Sequence, residues 1–483
     1  MRAGRRNSRR VDSVNPLFQS RRVIQLELDG MRWEIQPGWA DALGKILSSS
    51  GESIKTSPAK SVTRHRVENR VYFIKRYRHD AIPLRSLKFL VKPSQARQEW
   101  KLAQALADRG IPTVTHLAFG ERKTWRGVRE SVLLTEGFDG LPLEETRNVD
   151  PHSVLEFVRR MHEAGVLQQD LHPGNLLVNS ATREIRLVDL HGTIVRNCLV
   201  AAEREQNLAR LAVSFPLPLD KSILELSAGI GRNLRYERSR RCLRHNREFA
   251  PWRSGPWKGW VRQPNLTEAA RKILNDPDAF LASKGARLLK AGRSSTVGAG
   301  SGLVLKRYNF RKLGNALKDL FRQSKARRSY RRAYHLELAG VPTARIVATV
   351  DRRCCGFLLR SCVLMEEIAG AQELGAYLQQ SGAISLHLVH QAAELIGALH
   401  REGLSHRDLK ESNIVLDETG RLSLLDLDGL EFVDVLSEAR AASDLERFAR
   451  GVMKFEKAGR IHRMAFLRRY CRVRGIGRVP RRD

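Results

Sequence analysis

Acidic residues are scarce beside basic ones: 52 Asp plus Glu face 85 Lys plus Arg, for a formal net charge of +33. Such an imbalance suits anionic partners, whether phosphorylated substrates, acidic lipid headgroups or nucleic acid, although part of it is ordinary solvated surface. Cysteine is rare as well. The six (Cys198, Cys242, Cys354, Cys355, Cys362 and Cys471) are irregularly spaced, which argues against a disulfide framework and for reduced cytosolic thiols. The Cys354, Cys355 and Cys362 group lacks zinc spacing. No apolar run approaches the 18 residues a spanning helix needs, and the basic opening MRAGRRNSRR leads into no signal-peptide core. With 483 residues and 42% hydrophobic content, the chain is long enough for two or three packed domains.

The informative stretch runs from His400 to Leu430, HREGLSHRDLKESNIVLDETGRLSLLDLDGL. It holds His406-Arg407-Asp408-Leu409, then Asn413, then a β-branched and leucine run, then Asp426-Leu427-Asp428-Gly429. A lone Asp or Asn in a loop is usually a turn former. Four such positions in this order match the catalytic loop H-R-D-L-x-x-x-N of protein kinases and the metal-binding Asp that follows it. In that chemistry Asp408 meets the attacking hydroxyl, and Asn413 and Asp426 bind the metal ion.

The same pattern occurs earlier, in MHEAGVLQQDLHPGNLLVNSATREIRLVDLHGT, where Asp170, Asn175 and Asp189 occupy the corresponding places. Lys306 lies 231 residues after Lys75, Pro342 lies 230 after Pro112, Asp408 lies 238 after Asp170, and Asp426 lies 237 after Asp189. Local strings recur too: IKRY against LKRY, and GIPT against GVPT. An internal repeat of this kind predicts an α+β fold of two tandem protein-kinase-like domains, each a β-rich N-lobe followed by a helical C-lobe. The expected boundaries are a disordered basic arm over 1–24, a first domain over 25–240, a basic Trp-rich linker over 241–283, a second domain over 284–475 and a basic tail over 476–483. An Asp29-Gly30 hairpin opens the first domain. The segment QARQEWKLAQALADRG reads as a helix closed by Gly110 and Pro112. Trp252, Trp257 and Trp260 in the linker are candidates either for an interfacial membrane contact or for packing against a lobe.

Each copy departs from the full pattern. In the first, Lys75 would hold the α- and β-phosphates of ATP and Glu99 on the following helix would pair with it. Gln168-Gln169 replaces His-Arg before Asp170, and no glycine-rich loop precedes Lys75. In the second, Gly298, Gly300 and Gly302 precede Lys306 and are candidates for a phosphate-cradling turn. Ser329, however, falls opposite Glu99, and Glu337 is two turns further on, which leaves the partner of Lys306 open.

Both copies resemble the lipopolysaccharide kinases of the Kdo/WaaP type, bacterial sugar kinases with a protein-kinase-like fold. The resemblance lies in the KRY strand end, in A-R-x-x-W/Y followed by G-[IV]-P-T, in D-L-H-P-G-N or D-L-K-x-S-N, in D-L-[HD]-G, and in the Asp444-Leu445-Glu446-Arg447-Phe448 helix. It covers most of residues 30–240 and 285–475. It implies ATP- and Mg²⁺-dependent phosphorylation of a Kdo or heptose hydroxyl of the lipopolysaccharide core. That reaction would take place on the cytoplasmic side, peripherally at the anionic inner-membrane surface; nucleic acid is then not an expected partner. On this reading Asp170 and Asp408 are catalytic. Lys75, Glu99, Lys306, Gly298, Gly300 and Gly302 bind ATP, while Asn175, Asp189, Asn413 and Asp426 bind metal. Two other readings remain: a Ser/Thr protein kinase, favoured by His-Arg-Asp and Lys410 but lacking an Ala-Pro-Glu segment, and a basic tandem pseudokinase scaffold.

Overall fold

The computed structural model describes residues 23–79, 89, 91–125, 127–309, 323–433, 435–455 and 458–481. Most of the expected arm, 1–22, and the last two residues of the tail lie outside them. The chain divides into two units, Met1–Ile230 and Gly231–Asp483.

The first unit opens with β1 (Ile24–Leu28) and β2 (Met31–Ile35). Asp29 and Gly30 both have positive φ, 53° and 67°, so the expected Asp-Gly hairpin forms with the two-residue turn that suits strand twist. Helix α1 (Ala40–Ser48) follows, then β3 (Gly51–Thr56), β4 (Lys60–Val67), β5 (Arg70–Arg78), α2 (Gln95–Asp108), β6 (His116–Thr124) and β7 (Gly127–Glu136). The seven strands form one antiparallel sheet in the order β1-β2-β6-β7-β5-β4-β3. The strand period of two then sorts β5 between the faces. Tyr72 and Ile74 pack with Trp33, Leu43 and Ile46 on the α1 side, whereas Tyr77 packs with Trp100 of α2. Lys75, one residue from Ile74, is thereby aimed at α2.

The helical lobe of this unit holds β8 (Leu141–Pro142), α3 (Pro151–Glu163), β9 (Val166–Gln168), β10 (Leu176–Val178), β11 (Ile185–Leu187), β12 (Thr193–Val195), α4 (Ala201–Ala212) and α5 (Lys221–Ser239). Asp150 caps α3 by accepting from the amides of His152 and Ser153, and proline takes its first turn. Val154, Phe157, Val158 and Met161 of α3 bury against Leu171, Leu176 and Leu187, so the short ribbons carrying the loop residues rest on one apolar helix face. The unit boundary falls within α5.

The second unit repeats the plan. It contains β13 (Phe249–Ser254), β14 (Trp257–Arg262), α6 (Glu268–Asn275), α7 (Pro277–Ala282), β15 (Arg287–Ala291), β16 (Ser295–Gly300), β17 (Leu303–Tyr308), α8 (Lys325–Leu338), β18 (Ile346–Cys354) and β19 (Phe357–Glu366). The sheet order β13-β14-β18-β19-β17-β16-β15 is that of the first unit position by position. The helical lobe follows with β20 (Gln372–Glu373), α9 (Leu374–Gln380), α10 (Leu386–Arg401), β21 (Leu404–His406), β22 (Ile414–Leu416), β23 (Leu422–Leu424), β24 (Leu430–Phe432), α11 (Glu438–Met453) and α12 (Arg460–Arg474).

Two expectations need correction here. The Trp-rich segment is not a linker: β13 and β14 are the first hairpin of the second sheet, and β14 pairs with β18 from Trp257↔Arg352 to Val261↔Ala348. Trp257 is buried, and Trp252 and Trp260 pack against core clusters, so their apolar surface is spent on folding rather than left for a membrane. The basic, aromatic composition hid a strand alternation. Second, Gly298 and Gly300 lie within β16 and Gly302 in its turn to β17, away from a phosphate cradle. A side chain at Gly298 would strike Leu281 at 2.7 Å, and one at Gly300 would meet the carbonyl of Gly285 at 2.9 Å, so these glycines admit the α7 segment and the chain after it. Ser301 and Gly302 have φ of 53° and 72°, a tight hairpin turn. The connection between the first two strands of the Lys306 sheet edge is instead Gly292-Arg293-Ser294.

Candidate active site

In the first unit the sequence candidates converge. Lys75 Nζ lies 2.5 Å from Glu99 Oε1, and the Tyr77 hydroxyl donates to Glu99 Oε2 at 3.0 Å. Glu99 is buried on α2, and His116 Nε2 lies 3.8 Å behind it. Burial alone would raise the Glu99 carboxyl; Lys75 first and His116 next overcome that and hold it well below the usual carboxylate range. A depressed folded value makes the pair stabilising above the unfolded carboxyl pKa of about 4.3, with loss as pH falls towards the folded value. Glu99→Gln is therefore expected to weaken the first unit by about 3 kcal/mol at neutral pH. The gap to the parent should begin to narrow below about pH 4 and go on narrowing towards the folded value. Urea unfolding followed by hydrogen exchange in first-unit peptides checks it; an equal gap at both pH values would sink the assignment.

The loop after β9 places Asp170, and the next turn returns Asn175 so that its Nδ2 donates to the Asp170 carbonyl at 2.9 Å. The strand before Asp189 is pinned by the recurring G-[IV]-P-T string: Thr113 Oγ1 donates to the Leu187 carbonyl at 2.7 Å, and Thr343 does the same to Leu424 at 2.8 Å. Asp189 itself sits at φ 55°, a left-handed conformation that costs a non-glycine residue energy and marks functional turns. Its Oδ1 is buried with no partner among the described residues, while Oδ2 faces Lys60 Nζ at 4.0 Å. Burial in this cleft lowers the pKa of Lys60, and nearby Lys75 adds to that; Asp189 opposes both. A cavity of about 190 Å³ is lined by Lys60, Tyr77, Glu99, Asp189, Leu190 and His191. An uncommitted carboxylate oxygen beside an amide of the Asn175 type suits a divalent ion that is also held by phosphates, so the residues fit Mg²⁺.

The second unit brings together Asp408, Asn413 and Asp426 in the same way, with Asn413 Nδ2 donating to the Asp408 carbonyl at 2.7 Å. Lys306 differs. Its Nζ lies 2.9 Å from Asp426 Oδ1 and 3.2 Å from Asp428 Oδ2. Burial would lower its pKa, yet Tyr308, Asp428 and Asp426 raise it. The open question about its partner is answered by two carboxylates of the D-L-D-G segment. Glu337 is engaged with Arg262. Asp426 is at φ −81°, extended, and accepts from the Asp428 amide.

Several residues of the site were not found by sequence reasoning. Gln168, noted only as a departure, donates through Nε2 to the Asp189 carbonyl at 2.8 Å, the place taken in the second unit by His406 Nε2 against the Asp426 carbonyl at 2.5 Å. The amide thus does the positioning work of the imidazole. Asn207 of α4 donates to the Gln168 carbonyl at 2.7 Å, and Asp444 of α11 accepts from the His406 amide at 2.8 Å, so a polar residue on each helix anchors each loop. Arg210 lies 2.9 Å from Asp170 Oδ1, whereas Lys410 lies 2.9 Å from Asp408 Oδ2. Lys410, two residues after Asp408, is already singled out by the sequence; nothing local points to Arg210. A larger apolar cavity, about 750 Å³, lies elsewhere in the second unit, among Leu378, Leu388, Phe448, Val452 and Phe466, and includes none of these polar residues.

A stretch of 73 residues is 37% identical to the 3-deoxy-D-manno-octulosonic acid kinase of Xylella fastidiosa (strain M23), covering 15% of this chain and 28% of that protein. Over 197 residues the chain is 24% identical to the lipopolysaccharide core heptose(I) kinase WaaP of Pseudomonas aeruginosa, covering 36% of this chain and 74% of that one. Against the solved structure of WaaP in complex with acyl carrier protein the identity is 22% and the TM-score 0.31, covering 41% of this chain and 88% of that one. The chain thus spans little more than a quarter of the Xylella relative's length. The lipopolysaccharide kinase (Kdo/WaaP) family matches residues 48–225 and again 290–470, one match in each unit and together well over half of the sequence, so the chain belongs to that family.

Proposed function

We propose that this chain is an ATP-dependent kinase that phosphorylates a sugar hydroxyl, Kdo or heptose, of the lipopolysaccharide core. The observation that carries this reading is the assembly in each unit of a half-buried lysine, a loop aspartate, an asparagine turned back on that loop and a strand-end aspartate. Their family membership and the sugar kinases among the relatives support the acceptor class.

Phosphoryl transfer asks the protein for positioning and charge neutralisation rather than covalent chemistry. In the first unit Lys75, held by Glu99, would meet phosphate oxygens, with Lys60 from the neighbouring strand beside it. Asp170 would accept the proton of the acceptor hydroxyl as the new oxygen–phosphorus bond forms and the bond to the ADP oxygen breaks. Arg210 fixes the Asp170 carboxylate from α4. Asn175 and Asp189 would hold Mg²⁺, which when bound supplies charge neutralisation at the phosphates. In the second unit Asp408, Asn413 and Asp426 would act likewise once Lys306 turns from Asp426 to phosphate.

The protein-kinase reading is less well supported. After Asp426 the chain forms β24 and enters α11 at Glu438, which leaves little length for a peptide-docking segment. No helix among the described residues is long and apolar enough to cross a membrane. Contact with the anionic inner-membrane surface rests on the net charge of +33 and on a membrane-anchored acceptor. The test is transfer of labelled phosphate from ATP to a panel of unphosphorylated core glycolipids, peptides and free sugars. Transfer to the glycolipid is expected; transfer to peptide alone would overturn the proposal.

A further inference from the structure

Comparison of the two units residue by residue shows an exchange. In the first, one carboxylate bridges a lysine and a tyrosine: Glu99 takes Lys75 at 2.5 Å and the Tyr77 hydroxyl at 3.0 Å. In the second, Lys306 and Tyr308 stand where Lys75 and Tyr77 stand, but the helix residue is Ser329, which is buried and carries no charge. The bridging carboxylate is still there. Asp428 takes Lys306 at 3.2 Å and accepts from the Tyr308 hydroxyl at 2.7 Å. The position of Asp428 is held in the first unit by His191, an exposed residue. Glutamate with histidine in one copy has become serine with aspartate in the other, and the lysine–carboxylate–tyrosine contact has been kept.

We propose that Asp428 is the positioning residue for the nucleotide-binding lysine of the second unit, replacing the helix glutamate. This rests on the kinase reading of that unit. The replacement has a mechanical consequence. Glu99 is on α2, packed on the same sheet as Lys75, so that pair lies within one lobe. Asp428 belongs to the helical lobe and Lys306 to the sheet, so this pair ties the two lobes of the second unit across its cleft. It also explains how one lysine can serve beside a metal ligand. Lys306 touches both Asp426 and Asp428; when Asp426 turns to Mg²⁺, Asp428 and Tyr308 keep Nζ in the cleft. Arg332 of α8 donates to the carbonyls of Leu427 and Asp428 at 3.0 and 3.1 Å, fixing the segment that presents the carboxylate.

The experiment uses the full chain carrying Asp189→Ala, so that Mg-ATP binding reports the second unit, measured by calorimetry. Asp428→Asn should weaken ATP and ADP about tenfold or more and leave adenosine unchanged, because only phosphate contacts pass through Lys306. Adding Ser329→Glu to Asp428→Asn, which restores the acid at the place it has in the first unit, should recover most of the loss. A fold defect would not respond in this way. Should Asp428→Asn fail to fold, Ser329→Glu with Asp428→His, which reproduces the first unit's pair, reads the same exchange. The proposal is overturned if Lys306→Ala weakens ATP while Asp428→Asn does not, or if Ser329→Glu gives no recovery. A second unit that binds no ATP even with its own residues intact overturns the kinase reading beneath it.

Discussion

Asp170→Asn is expected to lower turnover on the core acceptor by about 10²- to 10⁴-fold, the range over which a positioned proton acceptor contributes. The substitution keeps size and shape but removes the ability to take a proton, and it strips Arg210 of its carboxylate partner. Binding of Mg-ATP should change little, since Lys75, Asn175 and Asp189 are untouched. Asp408→Asn should cost less. In the first unit Lys75 is already held by Glu99 and Asp189 Oδ1 is uncommitted, whereas in the second Lys306 must first leave Asp426. Both units are thus proposed to work, with the first not dispensable and carrying nearly all of the turnover, so that what remains in Asp170→Asn includes the second unit's small share. Full activity in Asp170→Asn with none in Asp408→Asn, assayed on the same acceptor, would make the first unit a scaffold and reverse this order.

Asp189→Ala and Asp426→Ala should each remove one nucleotide-dependent stabilisation and together remove both. At ligand about a hundredfold above Kd, binding stabilises a domain by about 2.7 kcal/mol. For units of this size that is a rise in melting temperature of about 5–10 °C. The two substitutions differ without ligand. Asp189→Ala removes a carboxylate with one buried oxygen unpaired and the other 4.0 Å from Lys60, so few contacts are lost and its basal cost should be small. Asp426→Ala removes a partner from Lys306, leaving Asp428 alone, and should lower the basal melting of the second unit visibly. Calorimetric scans with and without Mg-ATP read both effects. A double variant that keeps the full ligand shift would show that the metal assignments are wrong.

The parts of the site legible in sequence are those set by short-range chemistry. Asp170 to Asn175 and Asp408 to Asn413 are one loop and one turn each, so spacing along the chain is nearly spacing in space. The duplication was legible because the recurring strings have jobs: the threonine of G-[IV]-P-T reaches a strand-end carbonyl. What could not be read was contact between distant elements. Arg210 and Asn207 reach the loop from α4, and nothing in their neighbourhood announces it. In sequence the Trp-rich hairpin reads as a linker because its alternation is carried by tryptophan, glycine and arginine instead of the usual aliphatic residues. The glycines before Lys306 misled for a similar reason: glycine admits a close neighbour as readily as a phosphate, and only the packing of Phe280 and Leu281 distinguishes the two.

The most direct test of the central claim is the fate of the phosphate. Unphosphorylated lipopolysaccharide core is incubated with the full chain, ATP and Mg²⁺, and the product is analysed by phosphorus NMR and fragment mass spectrometry. A new phosphomonoester on a Kdo or heptose hydroxyl is expected, formed in step with ADP and nearly absent with Asp170→Asn. ADP release with no phosphate on the sugar, or a core left unchanged while peptide is phosphorylated, would contradict it.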